Sequence, residues 1–274
     1  PAPLVWHPQE QQKYRHFSAE DGSGLLGEWC PPVFSKPLRL ADNPHLQDHA
    51  VKGVIYVPAA LAITLMLYRF RLEYGRFVVV EDFQVLSGAI LSQDITLNTL
   101  LTVSEDYSSC QISTERPQFV ADSRGEWVQE SKHIEWSDCS LAKETVYGVD
   151  GLFHGPAFQC LDQVRINADN TRLMATMKTP AWLSEDPMWV QNRLMLWLDG
   201  ALQALGLLLS EQTGQWRLPV SIKRIVPCFP SEQPTVLRWL AEVSLPHAQK
   251  PYAQVILVDE QYRPLLRFDG IEFR

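Results

Sequence analysis

The residues most able to do chemistry are a histidine and an aspartate set about 150 positions apart. His49 opens the stretch His49-Ala-Val-Lys-Gly53-Val-Ile-Tyr-Val-Pro58, immediately ahead of a segment rich in helix formers that runs to Tyr74 and stops at Gly75. A glycine at position 53 lets a backbone approach a ligand closely. A histidine at position 49 can face whatever lies against the helix entrance, where the dipole and free N–H groups favour developing negative charge. The plain alternative is a histidine with a structural role.

Asp199 is the second anomaly. It sits in Leu194–Leu209, a segment otherwise almost wholly apolar. A charged, unpaired carboxylate on a buried helix costs several kcal/mol, so Asp199 must be hydrogen-bonded, protonated, or facing a cavity. Gln203 lies one helical turn further on the same face, within reach of the carboxyl group. Desolvation raises a carboxyl pKa, which suits a proton donor near neutral pH. A buried Asp–Gln hydrogen bond that merely fixes the helix would leave the same trace in the sequence.

The elements that position these residues come in two similar sets. The first 36 residues are polar, contain proline and show little pattern. An alternating stretch at Pro37–Leu40 is followed by the turn signal Asp42-Asn43-Pro44. Ala59–Tyr74 reads as a helix with Pro58 at its start and Gly75 just past its end, apolar all round in its first half and so buried. Strand candidates follow at Phe77–Val80, Ile95–Val103 and Ser109–Thr114, then a turn entering a further strand at Phe119–Trp127. After a polar linker the order repeats. A loop with His154-Gly155-Pro156 leads to strands near Gln163–Ile166 and Arg172–Met177. An apolar helix then runs from Met188 to about Ser210, with Asp186 as N-cap and Pro187 as first helical residue. Strands return at Val220–Ile225, Val236–Leu245, Ala253–Val258 and Pro264–Phe268. This gives an expected division into a segment of uncertain structure (1–36), a first half (37–137), a linker (138–150) and a second half (151–274). A long buried helix among strands, without strict strand–helix alternation, points away from a doubly wound parallel sheet. It fits an α+β double hot-dog, in which an antiparallel sheet wraps a central helix twice in one chain; a generic α+β domain is the competitor.

Composition narrows the function. With 24 Lys+Arg against 32 Asp+Glu the formal charge is −8, which disfavours a nucleic-acid binder working through bulk charge. Nine Trp and 46% hydrophobic residues exclude intrinsic disorder. No apolar run reads as the roughly 20 residues needed to cross a bilayer, and the N-terminus has no signal-peptide pattern. A cytoplasmic protein, or a domain cut from a longer chain, is expected. The five cysteines are scattered, with no metal-binding spacing, and read as structural thiols.

Four short motifs carry a resemblance. His49-x-x-x-Gly53-x-x-x-x-Pro58 is similar to the HxxxGxxxxP motif of polyketide synthase dehydratase domains. Asp199-x-x-x-Gln203 is similar to their DxxxQ/H motif. Gly151-Leu-Phe-His-Gly-Pro-Ala-Phe158 resembles their GYxYGPxF segment, and Leu218-Pro219-Val-Ser-Ile222 their LPxxI-like strand. The order and the His-to-Asp spacing also fit, over about Pro37 to Arg274. The His-Gly-Pro-Ala-Phe-Gln version resembles the polyketide-type dehydratase region of polyunsaturated fatty acid synthases. Departures are Leu152 and His154 where the family has tyrosines, and Ala59 where it usually has glycine.

The resemblance implies dehydration of a 3-hydroxyacyl thioester to the 2-enoyl thioester. His49 would be the general base, Asp199 the general acid held by Gln203. Gly53, Pro58, Gly155, Pro156 and Phe158 would shape the pocket. His154 would fill space, hydrogen-bond or bind the carbonyl rather than act as acid or base. A single histidine shuttling both protons, with Asp199 only orienting the hydroxyl, is the other scheme. No metal or other cofactor is implied, because the substrate arrives on the phosphopantetheine arm of an acyl carrier protein. Expected partners are that carrier protein, other domains of the synthase and, as in relatives, a second copy in a homodimer; nucleic acid and membrane are not. Arg69, Arg71 and Arg76, or Arg217, Lys223 and Arg224, are candidate basic patches for an acidic carrier. The alternatives are a product-template-like aldol cyclase of the same fold and a non-catalytic carrier-docking module.

Overall fold

In the computed structural model the first central helix forms where its helix formers and end signals place it. α1 spans Ala59–Tyr74, with Pro58 as N-cap and Gly75 as a left-handed C-cap at φ 72°. Pro58 therefore precedes the first helical turn and does not occupy it. Residues Ala60 to Thr64, with Met66, Leu67 and Phe70, are buried, so α1 is covered on most of its circumference. The structure describes residues 33–91, 94–128, 134–136, 139–148, 151–180, 182–183, 189–228, 236–244 and 252–274.

Around α1 lie β1 (Val33–Leu38), β4 (Val80–Val85), β5 (Ile95–Val103), β6 (Ser108–Ser113) and β7 (Pro117–Ser123). Strict alternation of burial in β6 presents Ser108, Cys110 and Ile112 to the helix side. β2 (Ala50–Val51) and β3 (Val54–Ile55) make a separate small hairpin. The second half contains β8 (Leu141–Ala142), β9 (Leu161–Ile166), β10 (Arg172–Met177), α2 (Trp189–Thr213), β11 (Pro219–Pro227), β12 (Leu237–Ser244), β13 (Tyr252–Asp259) and β14 (Pro264–Phe273).

Twelve strands form one antiparallel sheet in the order β1-β5-β6-β7-β4-β11-β14-β13-β12-β10-β9-β8. The halves meet where β4 pairs with β11, through Ile222 opposite Phe83 and Ile225 opposite Val80. Each helix packs on the strands of its own half, α1 on β4 to β7 and α2 on β9, β10, β12 and β13, and the two helices pack on each other. One core runs through both halves, from Leu61, Phe70 and Phe119 to Leu198, Trp239 and Phe268. This is the double hot-dog.

Several boundaries differ from expectation. β1 starts at Val33 and pairs with β5, so the sheet begins before Pro37. The expected linker supplies β8, an edge strand on β9. At Phe77–Val80 only Val80 is in a strand; β4 continues to Val85 through exposed Asp82 and Gln84, which hide its pattern. At Phe119–Trp127 the strand comes first, as the end of β7, and 124–127 follow as irregular chain. β14 runs through Gly270 to Phe273, past the expected end at Phe268. Asp186 and Pro187, the expected start of the second helix, lie outside the described residues. By length and composition Asn192–Thr213 could cross a membrane, contrary to the reading that no apolar run is long enough; 89% of its apolar window is buried inside the protein.

Of the basic patches, Arg69 is buried and cannot meet a partner. Arg71 lies over Phe77 and Arg76 over Trp127, both with guanidinium carbons within 5 Å of the ring centroids (4.8 and 4.6 Å). Arg224 pairs with Glu126.

Candidate active site

His49 is held at the end of a short 3-10 helix, Pro44–Asp48, and just before the β2–β3 hairpin. Its N–H donates to Leu46 O, and Tyr56 N–H donates back to His49 O at 3.3 Å. The ring nitrogen Nδ1 lies 3.2 Å from Tyr56 O. A carbonyl only accepts, so this bond puts the proton on Nδ1 and leaves the lone pair on Nε2. The hairpin turn is Lys52-Gly53, with φ of 50° and 80°. Positive φ at both central residues is the tight hairpin geometry that favours glycine. Gly53 is exposed, and a Cβ there would meet nothing within 4 Å. Its place in the motif is a requirement of the turn, correcting the reading of close approach to a ligand.

Asp199 sits midway along α2, 3% exposed. Its Oδ2 accepts a 2.5 Å hydrogen bond from Gln203 Nε2, which also donates to Phe158 O at 2.7 Å. Gln203 is fixed from its other side, because Tyr147 Oη donates to Gln203 Oε1 at 2.7 Å and accepts from Leu161 N–H at 2.8 Å. Tyr147 is a site residue that the sequence reading missed; it stands in the stretch taken for linker. The backbone bridge from Tyr147 to Leu152 secures it, and that bridge needs the small Gly151, whose Cβ would fall 2.5 Å from Val146 O.

The two halves bring His49 and Asp199 together. His49 Nε2 is 3.8 Å from Asp199 Oδ1, and His154 Nε2 is 3.4 Å from Asp199 Oδ2. His154 is thus a direct neighbour of the carboxyl group. Its ring stacks on Phe153 at 4.0 Å, and its Nδ1 has no hydrogen-bond partner among the described residues. Phe158 is fully buried, 5.4 Å from the His49 ring. Pro58 is buried at the start of α1, whose first N–H groups follow it. Pro156 is exposed and starts a one-turn 3-10 helix, Pro156–Phe158, so its role is in the loop's shape.

A latch joins the loops. Asp48, next to His49, accepts Ala157 N–H on Oδ2 at 2.7 Å, and its main-chain oxygen accepts Gly155 N–H at 2.8 Å. A Cβ on Gly155 would lie 2.5 Å from Asp48 Cγ. Glycine is needed there to let the second-half loop close on Asp48, and its N–H is committed to that contact. Trp182 braces the same loop, donating from Nε1 to Ala157 O while stacking on His45.

Burial sets the protonation states. Desolvation pushes His49 down to about 4, against the smaller opposing pull of its hydrogen bond to Tyr56. Desolvation pushes Asp199 up to about 7, against the Gln203 hydrogen bond. His154 is driven well below its ordinary value by desolvation and then by the nearby His49. Near neutral pH both imidazoles are uncharged and Asp199 retains a proton on a large fraction of molecules. A neutral base and a protonated acid thus stand side by side, the reverse of an ion pair, with His49 the most accessible of the three (side chain 12% exposed).

The chain is similar to known proteins in sequence and in fold. Residues 145–274 match the family described as the polyketide synthase dehydratase N-terminal domain. The chain is 24% identical over 262 residues to a polyunsaturated fatty acid synthase polypeptide of Thraustochytrium sp., covering 84% of this chain and 9% of that protein's length. The fold matches the dehydratase domain from the CurF module of curacin polyketide synthase, with a TM-score of 0.72 and 17% identity over 88% of this chain and 92% of that one. It also matches the dehydratase domain of a mycocerosic acid synthase-like polyketide synthase, with a TM-score of 0.73 and 17% identity over 88% and 89% of the two chains. The chain is thus similar to the dehydratase domains of polyketide synthases, by family model over residues 145–274 and by fold over 88% of its length.

Proposed function

We propose that this domain removes water from a 3-hydroxyacyl thioester to give the 2-enoyl thioester, with the acyl chain delivered on an acyl carrier protein within a polyketide or polyunsaturated fatty acid synthase. The observation that carries the reading is the 3.8 Å separation of an imidazole lone pair from a carboxyl group held near its protonated form. His49 Nε2 takes the proton from C2, the electron pair forms the C2–C3 double bond, and the C3–O bond breaks. Asp199 gives its proton to the departing hydroxyl, which leaves as water. Groups this close can reach both bonds only from one side of the C2–C3 axis, so the elimination is syn. The protonated imidazole then returns its proton to the carboxylate beside it, and the pair is reset.

Each step rests on a structural feature. Hydroxide is a poor leaving group, so an acid is required, and Asp199 is positioned by Gln203 and, through it, by Tyr147. The C2 proton is weakly acidic, so a neutral imidazole oriented by Tyr56 O is needed. The N–H groups of Ala59 and Ala60 open α1 without intrahelical acceptors and are suited to polarise the thioester carbonyl. Positioned acid and base groups contribute roughly 10²–10⁴-fold each. The reaction as proposed calls for no metal or nucleotide. His154, 3.4 Å from Asp199, orients the carboxyl group or the leaving hydroxyl.

The test is to incubate the purified domain with 3-hydroxyacyl pantetheine thioesters of several chain lengths and follow loss of one water by mass spectrometry. Turnover by the wild type and its loss in His49→Ala support dehydration. A folded wild type that eliminates water from none of them refutes it and favours the docking module.

A further inference from the structure

We propose that His49, His154 and Asp199 form a binding site for one divalent transition-metal ion, Zn2+ foremost, which occupies the acid–base pair and blocks it. One donor atom from each of the three side chains lies within 4.8 Å of the others. Zinc bonds of about 2.0–2.2 Å to nitrogen and oxygen place tetrahedral ligands about 3.4 Å apart. The observed separations from Asp199 are 3.4 Å to His154 and 3.8 Å to His49, so small side-chain rotations complete three-ligand coordination. The fourth position is left for water on the accessible His49 side.

The surroundings are those of a metal site. His49 carries its proton on Nδ1 against Tyr56 O, so Nε2 has its lone pair free, the outer-sphere arrangement that metal-binding histidines use. Asp199 is oriented by Gln203, which Tyr147 fixes in turn. His154 is 7% exposed and presents Nε2, the nitrogen that would coordinate, to the Asp199 carboxyl group at 3.4 Å. Two imidazoles and a carboxylate suit Zn2+ or Co2+ and not Mg2+ or Ca2+, which prefer all-oxygen shells.

Binding of the ion does not rest on the dehydration reading, because its test contains no substrate; the block of the acid–base pair does. Metal-stripped protein is titrated with Co2+. The expected result is one ion per chain, intense tetrahedral visible absorption without a sulfur-to-metal charge-transfer band, displacement by Zn2+, and no displacement by Mg2+. His154→Phe is expected to weaken Co2+ binding by about 100-fold or more, since outer-sphere partners alone are worth about 10–100-fold. Unchanged binding in folded His154→Phe, a charge-transfer band marking a cysteine thiol such as Cys139 or Cys228, or no one-to-one uptake overturns the proposal. Should His154→Phe fail to fold, proton NMR of wild-type protein with Co2+ decides: shifted N–H signals from two imidazoles support the site, and one or none refutes it.

Discussion

Replacing Gln203 by methionine removes the amide that faces Asp199 while keeping a side chain of similar length on α2. In the native protein that amide donates a 2.5 Å hydrogen bond to Asp199 Oδ2 and favours its ionised form, against a desolvation that has already lifted the carboxyl to about 7. A hydrogen bond to a charged group is worth about 1.5–3 kcal/mol net, and one pKa unit corresponds to about 1.4 kcal/mol. Losing the amide should therefore raise Asp199 by about one to two further units. Dehydration as proposed needs His49 neutral and Asp199 protonated, so activity rises through about pH 4 and falls through about pH 7 in the wild type. In Gln203→Met the alkaline limb should move up by about one to two pH units while the acid limb stays. The plateau should drop, because the carboxyl group loses its orientation. Gln203→His, which retains an N–H donor, should return the alkaline limb towards the wild-type position. The assay is the pH dependence of kcat on a pantetheine thioester, with folding checked by circular dichroism. An alkaline limb that stays in place, or moves to lower pH, would refute the assignment of Asp199 as the acid.

Three further outcomes are expected. His49→Ala should lower kcat by about 10²–10⁴-fold with the fold intact, read by water loss in mass spectrometry and by melting temperature. For Asp199→Asn the readout is stability against pH. The folded carboxyl titrates at about 7 instead of 3.8, so its stabilising effect is complete below 3.8 and is lost as pH rises to 7. The variant lacks that loss and should gain on the wild type across this window by up to about 4 kcal/mol, levelling off above it, in denaturant titrations at several pH values. A gain that instead appears as pH falls would contradict the raised carboxyl. Finally, Gly53→Ala and Gly155→Ala should separate turn from latch. The first places a side chain at φ 80° in open space and should cost about 1 kcal/mol of stability with little change in kcat. The second drives a Cβ against Asp48 and should depress kcat strongly. Equal effects on kcat would refute the distinction.

How much of this was legible beforehand follows from which forces act locally. α1 was readable to the residue because its propensities and its C-terminal glycine agree with its burial. β5 and β10 were readable because they alternate or carry β-branched residues. β4 was not, since most of it is polar on the outer face and its place is fixed by pairing with β7 and β11. Asp199 and Gln203 announced themselves as polar groups one turn apart in an apolar helix. Tyr147 gave no such signal: it matters through Gln203, a relation made by a turn and a β-bridge that no spacing encodes. Asp48 was hidden likewise, its worth lying in backbone N–H groups more than a hundred residues away. His154 was expected to fill space or hydrogen-bond, and the structure sets it against the carboxyl group.

The seam between the halves is what makes the pair possible. A lone buried histidine or carboxyl group would cost several kcal/mol with nothing in return. Here the first half supplies the imidazole on a loop and the second half the carboxyl on a helix, so neither half alone contains the pair. Three contacts of different kind hold the seam: strand pairing of β4 with β11, packing of α1 on α2, and the Asp48 latch onto Gly155 and Ala157. The first two set the relative position of the halves over many residues. The latch acts next to His49, beside the ring contacts of Phe158 and the Trp182 brace, and is proposed to keep the imidazole at 3.8 Å from Asp199. Disrupting the latch with Asp48→Ala should therefore spare the fold and strand the catalytic pair, lowering kcat far more than melting temperature. The opposite pattern would mean that strand pairing and helix packing suffice to set the geometry.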